Sequence, residues 1–391
     1  MRTTAYALVA AAMIIAGVTV PATAGIAVYD KDGKKIEVGG RIQLQYRNAD
    51  ASGGGDFDEI FFRRLRPYIQ GTVTEDWMGK IQFDFGKAED SNEVALKDAY
   101  MQYLGWENHK ITIGNSKTPF SREFLASSKR QQLVERSFTG DHNFGSPDRQ
   151  LGIRLDGSAL DKKITYAASL GTEEHDPAIN RMDFDSPANA AADWNEGVVV
   201  AARLDYHPLG YMKFDQADFR SDEWKINFSV AAFNWSNDDD NNTYTDSGTG
   251  MVNATGLADG KVDLDSAEGL ELSAGVRGMG FSADIEFQKI SGDTVDPTFT
   301  GGLYANGKTD LDIIAVEAGY MVASNVEVVA GWDTFDADNF TASTDRTSLG
   351  LNWYWNKHKA KLQLTYRTWD SVTGVPGSDL DEVIAQAQFV F

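Results

Sequence analysis

Residues 281–288 set Phe281, Ala283, Ile285 and Phe287 against Ser282, Asp284, Glu286 and Gln288. Successive side chains of a β-strand point to opposite faces, so this stretch builds one apolar and one polar face. The same period of two recurs at 41–47, where Ile42, Leu44 and Tyr46 oppose Arg41, Gln43, Gln45 and Arg47. It recurs again at 80–85, 349–355 and 361–367. Read this way, the chain holds about sixteen segments on the order of nine to twelve residues, the length a tilted strand needs to cross a bilayer. Soluble sandwiches alternate too, with the apolar face as core. Alternation alone therefore leaves two architectures.

The links between segments separate them. Short links (Glu75-Asp76, Glu107-Asn108, Met279-Gly280, Ser324-Asn325, Asn356-Lys357) alternate with long ones near 48–59, 87–94, 118–148, 173–195, 237–266, 292–308, 336–344 and 371–379. Barrel hairpins have a short turn at one membrane face and a longer loop at the other. The link at 208–221 is long where a short turn is expected, and leaves the strand count open by a pair. Val383, Ala385, Ala387, Phe389 and Phe391 alternate to a terminal aromatic, which resembles the sorting signal read by the barrel-assembly machinery of bacterial outer membranes. Trp77, Trp106, Trp332, Trp353, Trp355 and Trp369 fall near strand ends, where interfacial girdles form.

Arg2, the apolar run Ala7 to Val20 and Ala22-Thr23-Ala24 read as a signal peptide over residues 1–24. Residues 25–391 then form one barrel domain in the outer membrane. No cysteine occurs, and no later stretch approaches the ~20 consecutive apolar residues of a spanning helix. In lipid every backbone N–H and C=O must be paired, so the sheet must close. Side chains cannot fill a barrel of about sixteen strands, and a water-filled lumen remains. The expectation is an all-β transmembrane antiparallel barrel that works as a passive pore. The alternative is a soluble secreted or surface-attached β-protein that binds carbohydrate or acts as an adhesive module.

One stretch breaks the alternation. The chain carries a formal charge of −22; loss of residues 1–24 removes one arginine and no acid, which makes it one unit more negative. Such a charge disfavours nucleic acid as a partner. Yet residues 115–140 hold Lys117, Arg122, Lys129, Arg130 and Arg136 against Glu123 and Glu135. By strand count this is the third external loop. Ser128 and Gln131 have capping-box spacing, which predicts a short helix over 129–136. Folded inward, Arg122, Lys129, Arg130 and Arg136 would ring a constriction, and rings of Arg or Lys favour anions. Arg41, Arg64, Arg66, Lys80, Lys110 and Arg154 share inward parity and form a basic stripe, whereas Arg63 has outward parity. The plainer readings are a solvated external loop and wall arginines paired with acids such as Asp84 and Asp98.

No catalytic assembly stands out, and no enzyme, cofactor or metal site is expected. His109, His142, His175, His207 and His358 show no metal spacing. His142 with Ser137 or Ser146 meets the Ser-His requirement of a hydrolase only loosely. Aspartate-rich runs at 237–246 and 259–265 lack EF-hand spacing and read as solvated loops.

"EVGGRIQLQY" (37–46), "FFRRLRPYIQGTV" (61–73), "DWMGKIQFDF" (76–85), "LKDAYMQYLG" (96–105), "ITIGNSKTPFSREFLASSKRQQLVER" (111–136) and "LGLNWYWN" (349–356) resemble the phosphate-selective porins of the O and P type. The similarity is dense over 36–160, thin afterwards, and recovers in the last strands. It implies a sixteen-stranded homotrimeric porin whose third loop folds into the lumen, among outer-membrane lipid and lipopolysaccharide, passing small anions such as phosphate. It also implies pore roles for Arg41 and the Arg63-Arg64 pair, and for Ser127, Ser128 and Lys129 in the third loop. Two departures weigh against phosphate. Phe124 stands where those porins place a binding lysine, and the fifth loop reads "NDDDNNTYTDSGTG" where no arginine ladder is found. A porin with weak anion preference and poor phosphate binding is expected.

Overall fold

A computed structural model describes residues 25–52, 57–86, 94–189, 195–237, 244–245, 252–253 and 261–391. Sixteen antiparallel strands close into a barrel. They are β1 Lys34–Ala51, β2 Phe57–Thr72, β3 Trp77–Asp84, β4 Ala95–Trp106, β5 His109–Lys117, β6 Arg149–Ala159, β7 Ile164–Asp176 and β8 Asn195–Tyr206. The second half comprises β9 Lys225–Asn237, β10 Leu264–Gly278, β11 Phe281–Thr294, β12 Lys308–Met321, β13 Val326–Ala337, β14 Thr344–Tyr354, β15 Ala360–Asp370 and β16 Leu380–Val390. Each pairs with the next, and β16 pairs with β1 from Arg41↔Val390 to Ala51↔Leu380. Phe391 completes the seam by exchanging backbone hydrogen bonds with Gly40 at 2.9 and 3.1 Å. The sixteen barrel strands thus leave no open seam, and the short strand Ile26–Lys31 folds onto the start of β1.

The short and long links fall at opposite ends as the sequence predicts. Met279 and Gly280 both have positive φ (55° and 84°), as a two-residue type I′ hairpin requires. The 207–224 link is long without any missing strand pair. The sixteen-strand count holds because this link folds into the barrel instead of adding strands.

Outer faces are apolar and open: Ile285, Val328 and Leu351 are 49%, 43% and 48% exposed, whereas inward Gln288, Glu327 and Asn352 are fully buried. A soluble sandwich would bury the apolar face, so this decides for a membrane barrel. Toward the long-loop end of β11 to β13 the pattern inverts. Inward Ile290, Leu311, Ile313, Phe335 and Ala337 are apolar and buried, while Lys289 points outward. These inward side chains meet Phe138 and Phe144 of the third loop, Met182 and Phe184 of the fourth, and Leu303 and Tyr304 of the sixth. The hydrophobic core of this protein therefore lies inside the barrel. Trp369 belongs to it, 5.6 Å from Phe138, rather than to a girdle; Trp77, Trp106, Trp332, Trp353 and Trp355 are exposed outward.

The third loop, 118–148, folds inward and follows the inside of the β8–β15 wall. Arg122 binds Asp284 at 2.9 Å, Gln132 reaches Ser282 and Glu327 at 2.6 Å, and Val134 N–H donates to Thr365 at 3.2 Å. Its helix is not at 129–136. The helical turn is Arg122–Leu125, capped by Ser121 Oγ, which accepts from Phe124 N at 3.0 Å. Glu286 on β11 accepts from the free N–H groups of Arg122 (3.1 Å) and Glu123 (2.9 Å), so a wall carboxylate supplies what a helix start needs. Ser128–Arg130 makes one 3₁₀ turn, and Gln131 is extended. The Gln131 and Gln132 carbonyls are taken by Lys361, Gln363 and Asn352 from the wall, which removes the need for a helix there.

The 207–224 link rises from the other end to meet this loop. Gln216 N–H donates to Arg130 O (3.1 Å), Gln132 N–H donates to Gln216 Oε1 (2.8 Å), and Asp215 pairs with Arg130. Phe214 lies under Arg122 and Arg203 at 5.0 and 4.7 Å. Loop and link together fill the lumen beside β8–β15.

Candidate functional site

What remains open is a cavity of about 970 Å³ between β1–β6 and the third loop. Among the described residues its lining holds thirteen Lys and Arg side chains against nine Asp and Glu. A chain of charge −22 thus keeps a local surplus of four cations around this cavity.

The predicted stripe lies here. Arg41, Arg63, Arg64, Arg66, Lys80, Lys110, Ser127, Ser128, Lys129, Arg136 and Arg154 all line the cavity. Arg63 does so despite its outward parity. The β1–β2 register shifts between Gln43 and Leu44, which leaves Arg63 as the extra residue. A bulge of this kind re-aims a side chain, and Arg63 meets Glu135 at 2.7 Å. Arg122 and Arg130 are placed differently from the expectation: Arg122 is buried against Asp284 and Asn227, and Arg130 pairs with Asp215. Both hold the loop in place and neither lines the cavity. Lys97, Lys117 and Arg149 line it unforeseen. They lie near or at the strand ends that border long loops, where the alternation that reveals parity stops.

Several cations are neutralised locally. Arg66 pairs with Asp84 (2.5 Å), Lys80 with Asp98 (2.6 Å), Arg149 with Asp148 (2.8 Å) and Arg154 with Asp156 (2.6 Å). Arg41, Lys117, Lys129 and Arg136 have no carboxylate at ion-pair distance among the described residues. Arg41 reaches only Ser127 Oγ, at 3.3 Å. Lys117 and Arg136 donate to the carbonyls of Phe124 and Ala126 and stand 4.3 and 5.1 Å from the Phe124 ring. Phe124 is 2% exposed, so the cations at its position come from β5 and from the far side of the loop. Burial, then Arg41, Arg130 and Lys80, lower the Lys129 ammonium to about 8. Burial alone would raise the Glu135 carboxyl, but Arg63 and then Arg64 hold it down at about 2.

His142 does not meet a serine. Its Nδ1 is 2.5 Å from Asp183, Ser137 Oγ donates to Glu123, and Ser146 Oγ donates to the Thr139 carbonyl at 2.8 Å. The aspartate run 238–240, with Asp246 and Asp259, lies outside the described residues.

The model of the family described as "Phosphate-selective porin O and P" matches residues 36–269, more than half of the chain. The chain belongs to this family. Membership and the closed barrel support an outer-membrane channel. Porin O of Pseudomonas aeruginosa is 28% identical over 146 residues, 34% of this chain and 33% of that protein. An uncharacterized Aquifex aeolicus protein is 26% identical over 208 residues, 47% of this chain and 48% of its own. The porin thus spans a third to a half of these relatives' lengths. Among solved structures, the channel DcaP of Acinetobacter baumannii matches with TM-score 0.58 at 15% identity, covering 94% of this chain and 100% of that one. The trimer form of OmpT, an outer membrane protein of Vibrio cholerae, matches with TM-score 0.58 at 12% identity, covering 92% and 100%. These two likenesses concern the fold alone.

The contact between Arg130 and Asp215 is about one-third exposed to water, so it contributes about 1 kcal/mol or less. Asp215→Ala is expected to leave the unfolding temperature nearly unchanged while loosening the 207–224 link. Single-channel records should then show a higher or noisier open current.

Proposed function

We propose that this porin is a homotrimeric, water-filled diffusion channel for small hydrophilic solutes, with a weak preference for anions. The observation that carries this is the cavity lining, with its surplus of four cations, and above all Arg41, Lys117, Lys129 and Arg136, which have no carboxylate at ion-pair distance among the described residues. Positive groups in a narrow, partly desolvated passage attract anions directly and donate hydrogen bonds to them. Nine acids interleave with these cations, so a multivalent anion finds no continuous track of donors. Phosphate is admitted as one small anion among others, without tight block. The trimer rests on the family and on the trimeric form of a structural neighbour. Residues 1–24 serve as the export signal, and Phe391 ends the strand offered to the assembly machinery; mass spectrometry of the mature protein should find Gly25 at its N-terminus. The lipid-facing band contacts outer-membrane lipid and lipopolysaccharide.

Planar-bilayer reversal potentials across a potassium chloride gradient test this reading. Anion preference with millimolar phosphate leaving the current largely open supports it, and cation preference sinks it. The preference should also depend on pH. Lys129 loses its proton near pH 8, below the ordinary lysine range, so anion selectivity should fall as pH rises from 7 to 9. Lys129→Arg keeps its charge throughout and should abolish that decline.

A further inference from the structure

The third and fourth external loops bring together three side chains of metal-ligand type, apart from the basic stripe. Asp183–Asp185 is a three-residue strand paired antiparallel with the end of β7: Glu174↔Asp185, His175↔Phe184 and Asp176↔Asp183. A period of two puts both carboxylates on one face. Phe184 takes the other face and packs against His175 (5.5 Å) and Trp235 (5.7 Å). The third loop is held opposite by a bridge between Phe144 and Met182, with Gly145 N–H donating to Met182 O at 2.7 Å. His142 is thereby placed against the carboxylate face, with Nδ1 2.5 Å from Asp183 Oδ1. One ligand atom from each of His142, Asp183 and Asp185 lies within 4.8 Å of the others.

Two further observations point to something unmet at this place. The Asp185 side chain makes no hydrogen bond or ion pair among the described residues. Asp148, which closes the same loop and is 2% exposed, leaves Oδ2 without a hydrogen bond and with only the Lys97 ammonium facing it at 4.0 Å. Arg181 binds Asp176 and approaches the second oxygen of Asp183 at 3.5 Å, which steadies the short strand and leaves Asp185 alone. His142, Asp183 and Asp185 all border the open cavity, so a hydrated ion can reach them.

We propose that His142, Asp183 and Asp185 form a site for a divalent transition metal, zinc by ligand type, that ties the third loop to the fourth at the side of the lumen. An imidazole with two carboxylates suits zinc, whose bonds of about 2.0–2.2 Å set neighbouring ligands about 3.5 Å apart, within reach of small side-chain rotations here. Calcium needs some six to eight oxygens, more than three side chains provide. Zinc displaces the proton shared between His142 and Asp183 and keeps a fourth position open to water or to an anion from the lumen. It would place a double positive charge among the acids of the cavity.

The test is calorimetric titration of zinc chloride into detergent-purified, chelator-treated full-length protein. One saturable site per chain is expected, weakened at least about tenfold by His142→Gln and by Asp185→Asn and unchanged by His109→Gln. Heat-modifiable migration on gels checks that each variant is folded. Should a variant not fold, zinc protection of His142 from diethyl pyrocarbonate, mapped on wild-type peptides, replaces it. No saturation up to about 0.1 mM zinc, saturation indifferent to both substitutions (an adventitious ion only), equal competition by calcium chloride, or unprotected His142 would each overturn the proposal.

Discussion

The double variant Arg41→Glu/Lys129→Glu is expected to abolish anion preference. It converts a lining of thirteen cations and nine acids into one of equal charge. Each reversal changes the energy of a monovalent ion passing at about 6 Å by about 1.4 kcal/mol in water, near tenfold in local concentration, and less as salt screens it. At low ionic strength the reversal potential should therefore collapse toward zero or change sign. Lys289→Glu, on the outer surface and half exposed beside Asp310, should leave it unmoved. A double variant that keeps wild-type selectivity would place the selective region elsewhere, for example in the external loops.

Arg203→Ala should produce the largest loss of stability. Arg203 binds Asp205 at 2.8 Å and Glu271 at 2.5 Å, and also donates to the Phe120 carbonyl at the entry to the third loop. Glu271 is fully buried and has no other ion-pair partner among the described residues. Removal of one partner strands a buried charge, at a cost of about 3–5 kcal/mol. The unfolding temperature on heated gels should drop, and the freed loop entry should add noise to the open channel. Arg203→Met with Glu271→Met removes the stranded Glu271 charge and should recover part of the stability, since an apolar pair can replace a buried ion pair; Asp205 keeps the hydrogen bond from Thr165 Oγ1 at 3.1 Å. If Arg203→Ala alone is as stable as wild type, the loop anchor lies elsewhere.

Much of the site was legible because a barrel strand converts spacing directly into facing. Arg41, Arg64, Arg66, Lys80, Lys110 and Arg154 could be placed inward from parity alone, since each lies within an alternating run. Arg63 could not, because one extra residue at the bulge reverses its direction. Arg122 and Arg130 are drawn from the constriction by Asp284 and Asp215, acids about 160 and 85 residues away in sequence. The helix was misplaced for a similar reason. Ser128 and Gln131 match a local capping pattern, whereas the observed turn is completed by Glu286 from the opposite wall.

By itself the sequence determined the closed barrel, about sixteen strands with one pair left open at 208–221, and which end carries the long loops. Those properties follow from period-two alternation and from the need to pair every backbone group in lipid, and both are local or generic. Only the tertiary structure decided what fills the barrel. The inward course of 207–224, the apolar cluster under the loops, and the division of basic residues into loop anchors and free cations all depend on partners far apart in the chain. Pairings of that range are set by which groups remain unsatisfied once the wall has closed, and no spacing rule along the chain contains that information.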